Sequence, residues 1–420
     1  MDYDIIIIGS GPSGLGSAFQ IAQNSDLKVA IFDKSKVSSG GLRNDCKQNY
    51  TFPVGFPKEL WTKEEAERLL QKTAEILEPN YELKNNINMY AARAERLGVD
   101  LLDIKQSHVG TDRSIALINS LVERLKHLSV DIFFEKEVDF VDYNRRIIVL
   151  KDRSKYHFKK LIIGPGRAGF QWLQNVMNNM GVNFIDNIVD IGVRIEAKKE
   201  NYPIVEDYYD PKFLFKNKVR TFCTNSGSAH VVQEKYENYY SVNGHSFSKS
   251  NKPNNLVNFA MLKTILLTDP VVSGQQFADI LGQMAMKLSG GRPMMQRIGD
   301  FRLGNRSKHM TFNNDLYDFK PTLPTSTPGD ISLAIPAKIL RHIWSALKQL
   351  DTIVPGILHP STIIYYPEIK TYANKPEFIN DKFEVIEDVY MVGDGAGTSR
   401  GITAAWSSGI RAAEDILTKI

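Results

Sequence analysis

The first residues able to do chemistry are Gly9-Ser10-Gly11-Pro12-Ser13-Gly14, with Ala18 one helical turn later. They follow the apolar run Asp4 to Ile8 and precede a helical stretch from Ser13 to about Asn24. Between a strand and a helix, each glycine of this spacing has a task. Gly9 allows the tight turn, Gly11 lets a pyrophosphate approach the backbone, and Gly14 lets the helix pack on the strand. The helix N-terminus adds free N–H groups and a positive dipole end for the phosphates. Asp33, followed by Lys34, closes a second strand running from Lys28. A carboxylate there accepts hydrogen bonds from a ribose diol and disfavours a 2′-phosphate. The chemistry expected is dinucleotide binding, because a bare turn would give no reason for Asp33.

The other end of the chain narrows the cofactor. Val389-Tyr390-Met391-Val392-Gly393-Asp394-Gly395-Ala396 resembles the late GD motif of the glutathione-reductase-like FAD superfamily. NAD-only Rossmann proteins need no such segment, so the resemblance implies FAD. It implies that Asp394, after Gly393, bonds the ribitol chain and that Gly401-Ile402-Thr403 lies beside the flavin ring. Gly40-Gly41-Leu42-Arg43 resembles the GG stretch that runs past the pyrophosphate, and Val138 stands where a family backbone group meets adenine.

Gly164-Pro165-Gly166-Arg167-Ala168-Gly169 repeats the spacing after Leu161 to Ile163. One reading is a separate NAD site, with Asp186 as its acid. The expected reading is a strand end that returns the chain from the adenine side, with Gly164 at the same FAD.

The whole chain resembles a family of uncharacterised FAD-dependent dehydrogenases of bacteria and archaea. The resemblance rests on His108 to Asp112, Asp190 to Glu196, Arg220 to Asn225, Val242 to Ser246, Gly393 to Gly397 and Arg400 to Ile402. Ser226-Gly227 departs from the family's usual Pro-Gly pair. The function implied is an FAD-dependent oxidoreductase, a dehydrogenase or reductase passing a hydride through the flavin N5. An oxidase or monooxygenase, or a flavin-fold protein that only binds, stands as the alternative. A small-molecule substrate is expected, with NAD(P)H or another donor or acceptor as electron partner.

A flavin carries its own redox chemistry, so the protein must supply orientation and an acid or base. The candidates are Cys223, in a polar and turn-rich stretch that the family resemblance implies lies in the cofactor-facing half of the second domain, and His245, expected on a turn. His108 is expected to order the loop that starts a helix, and Arg194 to pair with Glu196 or another strand. Met284 to Met286 with Met294-Met295 read as core or pocket lining, not as a metal site. Arg292, Arg297, Arg302 and Arg306 read as a solvated basic face, with reception of an anionic substrate or partner as the alternative. Cys46 has Thr51 where a disulfide reductase would place its second thiol, so no dithiol chemistry is open to it.

These residues must be positioned by an α/β fold. An FAD-binding Rossmann-type domain, three-layered around a parallel sheet, is expected over 1–191 and 356–420, with a helical insertion at about 51–105. A second, mixed and mostly β substrate domain is expected over 192–355. Thr62 to Glu78 carries a capping-box pattern and ends at Pro79. Asp112 to Leu128 has a stripe of Ile115, Ile118, Leu121, Val122 and Leu125. A late strand, Val389 to Val392, leads to a terminal helix, Thr403 to Thr418. The net charge of +4 is too small for a nucleic-acid protein. Two distant cysteines exclude a disulfide framework and a cysteine-based zinc site. The short apolar start fits neither a signal peptide nor a membrane span, so the expected location is the cytoplasm.

Overall fold

The computed structural model describes residues 2–38, 40–43, 45–186, 188–247, 253–267, 273–313, 317, 319–371 and 374–420. Their contacts divide into two units. The first comprises Met1–Tyr81, Ile104–Asp186 and Tyr372–Ile420, and the second Glu82–Asp103 and Asn187–Thr371. The boundaries expected at 191 and 356 need correction. Residues 82–103 and 356–371 pack with the second unit, because Asp100–Leu102 and Ile363–Thr371 are strands of its sheet.

The first unit is built on five parallel strands in the order Val389–Met391, Lys155–Ile163, Asp2–Ile8, Val29–Phe32 and Asp131–Phe133. The run Ile5-Ile6-Ile7-Ile8 has no polar alternation because both of its faces are buried. Ile5 and Ile7 pack with helices Pro12–Asn24, Ser114–His127 and Ile402–Thr418. Ile6 and Ile8 pack with the antiparallel pair Val138–Asp142 and Ile147–Leu150 and with helix Phe170–Met180. That gives the three layers expected.

The local signals in the sequence account for the helix ends. Thr62 caps Lys63–Leu77 by accepting from the Glu65 N–H. Helix Ser114–His127 buries Ile118, Leu121, Val122 and Leu125, each contributing about 1.5–3 kcal/mol. Ile115 is a correction to the expected stripe, since it is 48% exposed.

The second unit has an eight-stranded sheet, antiparallel except where Met294–Arg297 pairs with Thr327–Pro328. Its centre is Ile363–Thr371, Ile188–Lys198, Leu256–Leu266 and Val219–Ser226. The unit is more helical than expected. Gly274–Ser289 and Ala337–Ile353 bury apolar stripes in the same core as this sheet. Among the described residues no helix is long and apolar enough to cross a membrane, and no group of three or more His, Cys, Asp or Glu is placed to hold a metal ion.

Helices Pro12–Asn24 and Ile402–Thr418 approach with little between their backbones. A Cβ on Gly409 would lie 2.0 Å from the Ser13 carbonyl oxygen. Gly409→Ala would gain up to about 1 kcal/mol of helix propensity on an isolated helix. Here it should instead cost about 1–3 kcal/mol by forcing the helices apart. Urea unfolding of the variant measures the sign, and a stabilised protein would contradict the close crossing.

Candidate functional site

Four parallel strands end in register. Ile8 pairs with Phe32 on one side and Ile163 on the other, and Ile163 pairs with Met391. The residues that follow, Gly9, Asp33, Gly164 and Gly393-Asp394, therefore leave the sheet along one carboxyl edge. In open α/β sheets a ligand sits at this edge, where connections diverge to the two sides.

Between Ile8 and the first helix the chain has no room for side chains at two positions. A Cβ on Gly9, whose φ is +98°, would lie 2.3 Å from the Gly164 carbonyl oxygen. A Cβ on Gly14 would lie 1.9 Å from the Gly9 carbonyl oxygen. Gly11 is different, since its φ of −72° and ψ of −175° suit any residue. It is the N-cap of Pro12–Asn24, and no side chain caps that helix. The first-turn N–H groups thus have no intrahelical acceptor.

Asp33 is 6% exposed and turned into the turn. Its Oδ2 accepts from the Ser10 N–H at 2.8 Å and the Ser10 hydroxyl at 2.6 Å, while Oδ1 accepts from the Ser35 N–H at 2.8 Å. Lys34 is exposed beside it. The Lys136 N–H donates to the Asp33 carbonyl, which brings the segment leading into Val138 to the end of this strand. Val138 itself is buried in the sheet of the first unit.

The GG stretch links the turn to the late motif. A Cβ on Gly40 would touch Pro12, and one on Gly41 would be 3.1 Å from the Ile402 side chain. Leu42 is buried and Arg43 exposed. A Cβ on Gly393 would meet the Ser13 hydroxyl. Asp394, next along, accepts from the Ser399 hydroxyl at 2.9 Å and the Gly401 N–H at 3.1 Å. Burial raises its pKa above the ordinary carboxylate value, opposed chiefly by the positive charge of Arg167. Gly401 is the N-cap of Ile402–Thr418, again with no side-chain cap. The structure thus brings together Gly9 to Gly14, Asp33, Gly41, Leu42, Gly164 and Gly393 to Thr403 on one edge.

Ser38, Asn49, Gly55, Trp61 and Thr398 brace this edge and carry no motif. The Ser38 hydroxyl donates to the Ser10 carbonyl, and the Thr403 hydroxyl to that of Asn49. The Arg400 N–H donates to the Gly55 carbonyl at 2.7 Å, and the Trp61 indole to the Thr398 carbonyl at 2.7 Å. Only the polar and aromatic character of 49–61 hinted at this.

The second GxGxxG does not build a second nucleotide fold. Helix Phe170–Met180 follows it, but the next strand, Phe184–Ile185, pairs antiparallel with Lys375–Pro376 outside the parallel sheet.

The other candidates occupy different surroundings. His108 is buried, with Nε2 2.6 Å from the Asp45 carboxylate, and Lys47 lies 3.1 Å from the same group. That contact anchors the chain before the helix Ser114–His127. Cys46 is buried and its thiol is pushed up to about 12 by burial.

In the second unit, Cys223 lies on strand Val219–Ser226, at a bulge where pairing shifts between Phe222 and Asn225. It is half-buried, with φ +51°. His245 also needs correction: it lies on strand Tyr240–Ser246 opposite His230, not on a turn. Arg297 is buried, not solvated, with its guanidinium over the rings of Phe312, Tyr317 and Phe319. Arg194 is fully buried and pairs with Glu368 rather than Glu196, through bonds of 2.7 and 2.8 Å. Burial acts to lower its pKa, and Glu368 more than offsets this. Its other nitrogen donates to Asn258 at 2.7 Å and to the Cys223 carbonyl at 3.3 Å.

A model of the Thi4 family matches residues 1–79. An uncharacterized protein of Clostridium beijerinckii is 23% identical over 344 residues, covering 75% of this chain and 62% of its own, so the chain spans less than two thirds of that relative. A soluble pyridine nucleotide transhydrogenase of Hahella chejuensis is 27% identical over 126 residues, 24% of this chain and 26% of its own. Among solved structures, L-proline dehydrogenase from P. horikoshii has 11% identity and a TM-score of 0.44, covering 100% of this chain and 94% of the other. Glycine oxidase from Bacillus cereus has 13% identity and a TM-score of 0.43, covering 100% and 96%. The fold class is α/β: a Rossmann-type unit built on a parallel sheet, with a second, mixed unit.

The buried ion pair fixes the strand that carries Cys223. Glu368→Gln leaves the Arg194 charge buried among neutral acceptors, and should cost about 3–5 kcal/mol. Denaturant unfolding measures it. A loss below about 1 kcal/mol would mean that water reaches the pair and that it does not lock the bulge.

Proposed function

We propose that this chain binds FAD and is a dehydrogenase or reductase that passes a hydride between a small organic substrate and the flavin. The observation that carries the reading is the carboxyl edge. It presents two carboxylates, Asp33 and Asp394, on either side of a turn flanked by an uncapped helix end, with a second uncapped end at Gly401. Strands lie about 4.8 Å apart, so the three intervals from Val29–Phe32 to Val389–Met391 span about 14 Å. That separation suits a dinucleotide met at both sugar chains. A mononucleotide would leave Asp33 or Asp394 without a task.

The residues fit the group. The N–H groups at Ser13 and Gly14 would take the pyrophosphate, Asp33 the adenosine ribose, and Asp394 the ribitol hydroxyls. Burial raises the pKa of Asp394, while Arg167, the Gly401 N–H and the Ser399 hydroxyl favour its charged form. The helix end at Gly401 would favour negative charge developing nearby. FAD, when bound, supplies the hydride chemistry at N5. The chain's part is to hold the ring, exclude water and move a proton. Cys223 and His245 are the proposed groups for that proton. In favour of Cys223 is a backbone held in a left-handed conformation on the bulge, with its carbonyl fixed by buried Arg194.

Gly11→Val tests the turn. Its backbone angles admit valine, so the variant is expected to fold with native stability yet to lose bound FAD, because the side chain fills the phosphate space. Absorbance near the flavin bands beside a thermal melt reads both. Stoichiometric FAD in the folded variant would overturn the assignment.

Cys223→Ser tests the proton role. The variant should stay yellow and stable while flavin reduction by substrate slows by about 10²-fold or more. Unchanged stopped-flow reduction would remove Cys223 from the chemistry.

A further inference from the structure

The second unit carries a groove that the flavin chemistry does not use. Helix Ala337–Ile353 turns Ile339, Ile343, Ala346, Leu347 and Leu350 into the core. On its flank, Leu340 and Trp344 stand one turn apart and remain partly uncovered. They meet Phe301 of the short helix Ile298–Arg302, whose ring lies 5.0 Å from that of Trp344 at 63°. These three side chains line an open groove of about 320 Å³, with Arg302 and Arg341 at its rim. Phe301, Leu340 and Trp344 also wall a narrower apolar crevice beneath, which reaches Val193, Ile331 and Ile343 in the core.

The rim is positively charged and uncompensated. Arg302, Lys338 and Arg341 are exposed and have no acidic partner among the described residues. Positive charge also surrounds His342 on the same helix, whose pKa is lowered by burial and then by Lys263, Lys338 and Arg341. Two unpaired guanidinium groups over an aromatic floor recognise a specific chemistry. They offer a planar anion paired, charge-assisted hydrogen bonds, and the aromatic floor accepts an apolar body. The volume is that of a small-molecule site, whereas a protein interface would need about 800 Å² on each side.

We propose that this groove binds a small anionic amphiphile, an aryl or medium-chain carboxylate. Its apolar part lies between Phe301 and Trp344, and its carboxylate meets Arg302 and Arg341. Binding here needs no residue of the dinucleotide edge, so it stands whether or not the flavin reading holds.

Decanoate is the probe, titrated calorimetrically and by tryptophan fluorescence into the full chain with its cofactor as purified. Saturable binding below the micelle concentration is expected, with a fluorescence response that disappears in Trp344→Phe while the binding heat remains. Decylammonium, with the same tail and the opposite charge, should not bind. The double variant Arg302→Glu/Arg341→Glu changes only exposed side chains and should melt as the native protein does, yet bind decanoate at least tenfold more weakly. Equal binding of decanoate and decylammonium would reduce the groove to a nonspecific apolar surface. Native affinity in the double variant, or no saturable decanoate binding, would overturn the proposal outright.

Discussion

Most of what this protein can do depends on four parallel strands stopping at the same level. Because Phe32, Ile8, Ile163 and Met391 pair in register, the turns that leave them are forced onto one edge. Residues from positions 9, 33, 164 and 394 then share a site although the sequence spreads them over the chain. The buried apolar runs that build the strands are thus the cause of the site, not merely its support. If any strand ended two residues later, its following residue would move by about 6–7 Å and leave the group.

Stability and function pull on this edge in different ways. Gly9 and Gly14 are required by contacts inside the protein itself, since side chains there would strike backbone. Gly11 has no such requirement in its backbone angles, which is why a ligand is the better reason for it. The same contrast separates the acids. Asp33 is already satisfied by Ser10 and Ser35, so its carboxylate is fixed in place before any sugar arrives. Asp394 is held by the first N–H of the helix whose end faces the same edge. Such pre-ordering limits what the site must lose in freedom on binding.

The sequence made the first unit legible because its signals are local. A strand, a turn, a helix and an acid at fixed spacing identify one another, and the capping residue Thr62 and the stripe at Ile118 to Leu125 do the same. The second unit was harder to read because its order comes from pairings far apart in sequence. Arg194 finds Glu368 across the sheet, which no spacing announces. The basic look of 287–308 misled for a similar reason, since Arg297 lies under three aromatic rings contributed by 312–319. Asn243-Gly244 before His245 is a turn signal, and strand pairing with 229–235 overrides it. The domain limits shifted because a short strand at 100–102 completes the second sheet from a distance.

The central claim is that the carboxyl edge holds a flavin dinucleotide. The most direct measurement is chromatography of whatever the purified protein releases on denaturation, quantified against protein. The expected result is FAD at about one per chain, with neither FMN nor NAD in comparable amount. A colourless protein that takes up no FAD when it is supplied, or one that releases FMN alone, would contradict the claim.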